Sequence, residues 1–191
     1  MKKLICISLI GFLLTASCKK DKIICTKYTE LTDRNHLVDI SALSGAPELL
    51  DTLAKYPQLQ VFRIINDQYT IGMHCNVFYS GVKSFTDDYR LFKSRNDKSI
   101  AGWDTIPVNL TLSLTPSIQF EQAISIAKQK LNYDNTCISY RLGIYDTNSG
   151  VSYQPKNYTL TWKIQGDNEY PYVILDANSG QVYIADDGIR Q

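Results

Sequence analysis

Several features that would point to a particular chemistry are missing from this sequence. Its 191 residues contain only two histidines, so a Ser-His or Cys-His catalytic set has few ways to assemble. No serine lies in a nucleophile-elbow motif, and no glycine-rich phosphate loop occurs. The 20 basic and 19 acidic residues form no basic stripe, which argues against nucleic-acid binding. The sequence therefore predicts neither an enzyme nor a protein that carries a cofactor.

The first 18 residues are the most informative part of the chain. Lys2 and Lys3 precede an apolar run, 4–14, that is too short to span a bilayer comfortably. Small residues follow, and residues 14–18 (LTASC) resemble the lipobox of bacterial lipoproteins. The resemblance implies cleavage before Cys18 and fatty acids on its thiol, because several acyl chains anchor stably where one does not. The alternative is an ordinary secretory signal with a chance cysteine.

This N-terminus predicts the location of the protein. We expect a signal peptide over 1–17, lipidation of Cys18, and a polar tether over 18–32 that holds the rest off the membrane. Loss of Lys2 and Lys3 would take the formal charge from +1 to −1. No other long apolar run occurs, so membrane contact is left to the lipid. The expected place is the bacterial cell envelope, outside the cytoplasm, with the outer membrane favoured.

The number of cysteines allows one disulfide bond in the mature protein. Of the five cysteines, Cys6 leaves with the signal peptide and Cys18 takes the lipid. An extracytoplasmic location permits one bond among Cys25, Cys75 and Cys137, and the sequence leaves all three pairings open. The alternating pattern around Cys75 favours a buried thiol at that position, because every second residue of its strand is apolar.

Residues 33–114 are predicted to form a smaller α+β region. The expected elements are a helix over 47–56 and strands over 59–65, 69–79 and 82–86. The apolar face of the second strand consists of Tyr69, Ile71, Met73, Cys75, Val77 and Tyr79. Residues 87–103 are charged and poorly periodic, which predicts a loop or a short helix, and 108–114 predict a further strand.

Residues 115–191 carry the clearest pattern. Apolar residues recur at helical spacing from Phe120 to Leu131, which predicts an amphipathic helix. Four strands are expected after it, over 137–145, 157–165, 172–176 and 181–185. In the second of these, one face is predicted to be buried and the other solvated. The inward residues are Tyr158, Leu160, Trp162 and Ile164, and the outward ones are Asn157, Thr159, Thr161, Lys163 and Gln165.

Two loops repeat one hairpin signal. Residues 146–150 and 176–180 both begin with Asp, whose carboxylate can accept turn amides, and end with Gly, which can take the positive φ that closes a hairpin. Together with the helix start at 118–127 and the strand at 158–164, the closing hairpin at 172–182 resembles a PepSY domain. One departure is Gln119, where that family usually has Ser or Thr as the helix cap.

The PepSY resemblance covers the last third of the chain and implies a fold. It implies a cystatin-like α+β domain over 115–191, with the helix packed on a four-stranded antiparallel meander. It also implies kinship with propeptide modules that inhibit or chaperone secreted peptidases. Residues 33–114 are then either a second, diverged unit of the same kind or an unrelated smaller region.

The remaining groups of polar residues are better explained as ordinary structural features than as metal or catalytic sites. His74 and Cys75 with His36 could suggest zinc, but a strand sends neighbouring residues to opposite faces and a structural site needs four ligands. The loop 176–180 lacks the acidic series of a calcium site, so a plain turn is favoured. No metal is expected. In the carboxylate pairs at 87–88 and 186–187, adjacent side chains point apart, so neither pair predicts an acid–base dyad. Both pairs are expected at solvated edges.

The sequence leaves two classes of function open. The first is a lipid-anchored binding protein without catalytic residues, which contacts a protein partner, with a peptidase as the candidate. The alternative is a module that binds a small ligand or a glycan through exposed aromatic residues such as those of 170–172. An enzyme with an unrecognised site is the third and weakest reading. A pocket lined by Tyr and Trp on the outward sheet face would favour the second class, and a convex, filled face would argue against it.

Overall fold

The structure, a computed structural model, describes residues 28–31, 38–103, 110–134, 136–151 and 154–189. The predicted signal peptide, Cys18, most of the tether and His36 lie outside these ranges. In the ranges that are described, no helix is long and apolar enough to cross a membrane.

The described chain is a mixed α+β structure, as the sequence predicts. Two α-helices and nine strands lie in its described ranges, and all nine strands belong to one sheet. The helices are α1 (Pro47–Lys55) and α2 (Phe120–Lys130). The strands are β1 (Thr29–Glu30), β2 (Leu59–Asn66), β3 (Thr70–Tyr79), β4 (Val82–Ser94), β5 (Ile100–Trp103), β6 (Ser139–Asp146), β7 (Tyr158–Gln165), β8 (Tyr172–Asp176) and β9 (Val182–Asp186).

The sheet consists of two successive meanders. In the first, α1 is followed by β2, β3, β4 and β5, each antiparallel to the next. In the second, α2 is followed by β6, β7, β8 and β9, again antiparallel in sequence order. We call these the N-terminal and C-terminal units. They join where Ser84 of β4 pairs in parallel with Ile144 of β6.

The N-terminal unit is organised by a short helix on its sheet. Pro47 opens α1, where its missing N–H costs nothing, and Pro57 follows its end. Leu49 is fully buried and packs with Leu43 and Met73, among others, in the first apolar core. Burial of each such leucine contributes about 1.5–3 kcal/mol.

The C-terminal unit is held by a longer helix and an anchoring hydrogen bond. Helix α2 buries Ala123, Ile124 and Ala127. The Trp162 indole N–H donates to the Ile118 carbonyl at 2.8 Å, just before the helix. Gln119 is the N-cap and makes no side-chain capping bond, so the packing of α2 rather than its cap fixes its start.

Both helices lie on the same face of the sheet. Val82, Leu112 and Leu114 pack against the core of the N-terminal unit and also against that of the C-terminal unit. The two cores therefore meet above the β4–β6 junction. The opposite face of the sheet carries no helix among the described residues.

The sequence mispredicts two segments of the N-terminal unit. Residues 87–103 are not a loop or a helix, because β4 continues to Ser94 and β5 follows. A bulge explains the error: residues 84–87 all lie opposite Val77 and interrupt the alternation. Residues 110–114 form no strand, and their leucines instead pack as extended chain between the cores.

Several local predictions are confirmed. Asp146 and Asp176 each accept backbone N–H groups of their own turns, and the glycines that close the turns have φ of 85° and 78°. Cys75 is a free, fully buried thiol, and burial raises its pKa to about 12. Cys137 is disulfide-bonded. Tyr69, in contrast, is 61% exposed and does not belong to the apolar face of β3.

The stretch predicted as a tether contributes one short strand. Thr29 and Glu30 of β1 pair in parallel with Ser139 and Tyr140 of β6. The described end of the predicted tether therefore contacts the C-terminal unit.

Candidate functional site

A groove of about 640 Å³ lies on the face of the sheet that carries no helix. Seven strands follow one another across the sheet in the order β2, β3, β4, β6, β7, β8 and β9. Each of them contributes residues to the groove. Its lining residues include Phe62, Asn76, Lys83, Phe85, Asp88, Arg141, Tyr145, Lys163, Glu169, Tyr172, Ile174 and Ile184.

This face is not the solvated surface that the alternation of β7 predicts. The inward residues are as expected, with Leu160 and Ile164 fully buried. Of the outward residues, however, Thr161 is also fully buried and Gln165 is only 9% exposed. The prediction of a solvated outer face is therefore wrong for the middle of the sheet.

An aromatic side chain from β4 accounts for the burial of Thr161. The Phe85 ring lies over Gly143 of β6 so closely that a Cβ on this glycine would be 2.1 Å from a ring atom. Beside it, the Thr161 hydroxyl donates to the Gly143 carbonyl at 3.2 Å. A glycine in a strand here marks the close approach of another residue, and Phe85 forms one wall of the groove.

Lys163 lies at the middle of the groove. It is half-buried, and its Nζ is 5.1 Å from the centre of the Tyr172 ring. Burial lowers the pKa of Lys163, the Glu169 carboxylate opposes this, and the nearby cations of Lys83 and Arg141 lower the pKa further. Within the described ranges, no carboxylate lies within ion-pair distance of its Nζ.

Glu169 lies at the rim of the groove in an uncommon backbone conformation. Its φ is 73° and that of Asn168 is 56°, so two successive residues other than glycine are in the left-handed region. Such conformations cost about 1–3 kcal/mol and persist only where the surrounding structure imposes them. The exposed Tyr170 follows, and its ring packs on that of Tyr172 in the groove.

The N-terminal unit lines the other end of the groove. Phe62 is 46% exposed there, and Asp88 pairs with Arg90. His74 lies between the rings of Phe62 and Phe92, and its buried Nε2 has no hydrogen-bond partner. Burial is the main cause that lowers the His74 pKa, so its imidazole is neutral at pH 7.

These positions do not form a metal site. His74 and Cys75 point to opposite faces of β3, and Cys75 lies in the apolar core. Across the described ranges, no group of three or more His, Cys, Asp or Glu side chains is arranged to hold a metal ion.

Asp87 is not at a solvated edge, which corrects the expectation for the pair 87–88. It lies in the β4 bulge and is 8% exposed. One carboxylate oxygen accepts from Tyr79 at 3.1 Å and Ser84 at 2.8 Å. The other accepts from Lys156 at 2.7 Å and Tyr158 at 3.1 Å. With both oxygens occupied, Asp87 joins the two units and is not placed to act as a base.

Asp176 likewise has a structural role. Its carboxylate accepts from the backbone N–H groups of Asn178 and Ser179 and from the hydroxyls of Thr159 and Tyr183. Burial alone would raise the Asp176 pKa, but these hydrogen bonds outweigh it and lower the pKa to about 2. The loop is a plain turn whose oxygen ligands are already used.

The sequence indicated only part of the groove. Lys163 lies in the middle of the most regular alternating strand, and the aromatic pattern of 170–172 predicts a contact surface there. Lys83, Phe85 and Arg141 gave no signal, because their meeting depends on the parallel junction of β4 with β6. Pairings between strands so far apart in sequence leave no local pattern.

No protein-family model matches this chain, and no curated protein matches it. Among solved structures, the Bacillus megaterium YpeB C-terminal domain is similar over 86% of this chain and 70% of its own, at 16% identity and a TM-score of 0.37. A likeness of this size establishes neither a shared fold nor a shared function. The coarse class, a mixed α+β chain with a large sheet, follows from the structure itself.

Proposed function

We propose that this protein is a lipid-anchored binding protein of the bacterial envelope, without catalytic activity, that holds a segment of a protein partner in the groove. In this proposal the C-terminal unit is a PepSY-like domain, with α2 on a cystatin-like meander, and a peptidase is the candidate partner. The N-terminal unit is a diverged second copy. The order of one helix and four antiparallel strands in each unit supports this reading.

The observation that carries the proposal is the groove itself. Its volume of about 640 Å³ is within the roughly 300–1,000 Å³ of typical ligand sites. It combines exposed apolar and aromatic side chains with cations, a mixture that is typical of binding surfaces. The acidic residues Asp87 and Asp88 at its wall are already paired with Lys156 and Arg90. Binding therefore fits the groove better than acid–base chemistry does.

Site-specific photocrosslinking tests the proposal. A photoreactive residue at Ile184, in the groove, should give a covalent adduct with a specific envelope protein. The matched control is the same residue at Gln129, which is exposed on α2 on the opposite face. Equal labelling from both positions, or none from Ile184, would contradict the proposal. If mass spectrometry identifies a peptidase, its activity should change when the purified protein is added.

The anchor has a separate test. A fatty-acid analogue should label the protein in cells, and Cys18→Ala should abolish the label and release the protein from membranes. Unchanged labelling of the variant would contradict lipidation at Cys18.

A small ligand or a glycan is the second candidate. The rings of Tyr145 and Tyr172 line the groove, and such rings can stack on sugars or planar ligands. Native mass spectrometry of protein purified from its host would show such a ligand as a defined added mass. Loss of that mass in Tyr172→Ala, together with no adduct from Ile184, would favour this candidate over the first.

A further inference from the structure

His74 lies between two arginines on the face of the sheet that carries no helix. Arg63 of β2 and Arg90 of β4 are each directly opposite it in the antiparallel register, so the three side chains point to the same face. The His74 ring is also nearly perpendicular to the rings of Phe62 and Phe92, at 5.9 Å and 5.5 Å between ring centres. A second proton on this imidazole would therefore add a positive charge between two cations and inside an aromatic contact.

Two buried polar atoms in this region have no partner. Among the residues that the structure describes, the His74 Nε2 and the Asp88 Oδ1 are buried without a hydrogen bond. Arg90 donates from Nε, at 2.7 Å, and from Nη2, but both bonds go to the other carboxylate oxygen, Asp88 Oδ2. A buried polar atom without a partner destabilises a folded protein, so such an atom calls for an explanation.

Protonation of His74 can join these two atoms. Asp88 is the diagonal neighbour of His74 across the β3–β4 ladder, two residues before Arg90. Diagonal positions in a sheet are about 7–8 Å apart, which is within reach of aromatic and long side chains. An imidazolium donates from both nitrogens, whereas a neutral imidazole carries a hydrogen on only one. The charged form of His74 can therefore donate from Nε2 to Asp88 Oδ1, in competition with Arg90 for the same carboxylate.

The surroundings of His74 oppose its protonation on balance. Burial is the largest cause that lowers the His74 pKa, and the cations of Arg90 and Arg63 lower it further, whereas the Asp88 carboxylate raises it. The folded-state pKa is below the ordinary 6.5, so the folded protein binds this proton less readily than the unfolded chain does. The contribution of neutral His74 to stability is therefore complete above about pH 6.5 and is lost as pH falls through the folded-state pKa.

We propose that His74 is an acid sensor for the end of the groove that the N-terminal unit forms. On acidification, the imidazolium takes Asp88 as its partner and gives up its contact with the Phe62 ring, which lines the groove. Acid therefore weakens the hold of the groove on the partner segment. The inference rests on the proposed function, because a protein outside the cytoplasm meets the pH of its surroundings directly, in the range where histidine titrates.

A proton NMR titration of the purified full chain tests the first step. The sequence has only two histidines, so His36→Gln leaves His74 as the source of the imidazole signals. The midpoint of His74 should lie below 6.5. Arg63→Gln should raise this midpoint and Asp88→Asn should lower it, each by about half a pH unit or more, because they remove a repelling and an attracting charge. Lys130→Gln, on the exposed surface of α2, is the matched control and should leave the midpoint unchanged.

Fluorine NMR tests the second step. With para-fluorophenylalanine in place of Phe62, the fluorine signal should move with the midpoint of His74, and its shift between light and heavy water should grow at acidic pH as the ring becomes more exposed. The same label in place of Phe120 is the control, since that ring stacks on Tyr140 in the C-terminal unit. His74→Gln should abolish the response at position 62, and His74→Phe, which keeps an aromatic ring there, serves if His74→Gln fails to fold.

The crosslinker at Ile184 tests the effect on binding. It should give less adduct at about pH 5 than at about pH 7.5, and His74→Gln should remove that difference.

Three outcomes would overturn the inference. A His74 midpoint of 6.5 or higher would show that the surroundings do not oppose its charge. An unchanged signal from Phe62 through the midpoint would show that the imidazole titrates without moving its neighbours. A loss of the Ile184 adduct in acid that persists in His74→Gln would place the acid sensitivity elsewhere. After any of these, an adduct at neutral pH would still support the proposed function. No adduct at neutral pH would remove the proposed function, and with it the effect of acid on binding.

Discussion

The two units share one order of elements but close their hairpins differently. In the N-terminal unit, β3 and β4 are joined by Ser80 and Gly81, both with positive φ, and β4 then runs on for 13 residues. In the C-terminal unit, two of the three hairpin connections begin at Asp146 and Asp176, and no strand exceeds 8 residues. The tight turn of the first unit lets one long strand reach across to the second.

That difference assigns separate roles to the units. The C-terminal unit supplies Arg141 and Lys163 to the lining of the groove. The N-terminal unit supplies Lys83 and Phe85 from the bulged strand, and with them the wall of the groove. Asp87 bridges the two, since its partners Tyr79 and Ser84 belong to the first unit and Lys156 and Tyr158 lie in the second.

Replacing Asp87, which joins the two units, should lower the stability of the protein more than any other change considered below. Asp87→Ala would leave Lys156 without its buried carboxylate and three hydroxyl groups without their acceptor, a loss we expect to cost about 3–5 kcal/mol. Chemical denaturation should show it as a lower midpoint. Asp51→Ala, on the exposed surface of α1, should change stability by no more than about 0.5 kcal/mol. Equal effects of the two variants would show that Asp87 does not join the units.

A disulfide should tie the N-terminal segment to the C-terminal unit. Cys137 is disulfide-bonded and Cys75 is free. With Cys18 lipidated as proposed, we expect Cys25 to be the partner of Cys137. Peptide mapping without reductant should find these two linked, and reduction should cost about 2–4 kcal/mol. Cys75 should react with thiol reagents only after denaturation, because it is buried and its pKa is raised to about 12. Rapid labelling of Cys75 in the folded protein would contradict this.

The contact of Phe85 with Gly143 offers a finer test of the same junction. Gly143→Ala should destabilise the protein by about 1–3 kcal/mol, because the new methyl group overlaps the ring. Combining it with Phe85→Ala should recover part of that loss, which a double-mutant cycle measures. Gly45→Ala is the control, since a Cβ there meets its nearest atom at 3.9 Å. Strictly additive effects would show that the two residues do not touch.

The smallest expected effect concerns pH and the closing hairpin of the C-terminal unit. The folded-state pKa of Asp176 is about 2, below its ordinary 3.8. Its contribution is therefore fully present above about pH 4 and is lost as pH falls towards 2, by about 1 kcal/mol after allowance for solvent screening. Asp176→Asn should flatten the stability curve in that window, and Asp51→Asn should not. An unchanged curve for Asp176→Asn would place the acid sensitivity elsewhere.

The sequence predicts the C-terminal unit better than the N-terminal one, for a physical reason. A strand with one buried face shows a period of two, and β7 does so from Tyr158 to Ile164. The same holds for α2, whose apolar residues recur at helical spacing. In β4 the bulge at 84–87 shifts the alternation by its extra residues, so the strand beyond Thr86 looks like a charged loop.

The groove could not be predicted, because it depends on residues that meet only in the folded sheet. Local alternation predicts that Thr161 is solvated, and Phe85, whose ring covers its neighbour Gly143, lies more than 70 residues earlier. The same holds for Asp87. Two adjacent carboxylates in a sequence predict surface charge, but in the folded protein four donors from the two units surround the Asp87 carboxylate. The alternation of apolar and polar residues therefore predicts which face of a strand is apolar, but it does not predict which residues cover the other face.

Strand β4 also limits how the molecule could be divided or exchanged with other proteins. It pairs with β3 on one side and with β5 and β6 on the other, so a cut between the units would separate it from β6. A fragment that begins after it would carry Arg141 and Lys163 but lack one wall of their surroundings, and would present the bare edge of β6 to other chains. Recombination of this chain would have to move both units together, and we expect the pair to unfold in a single transition.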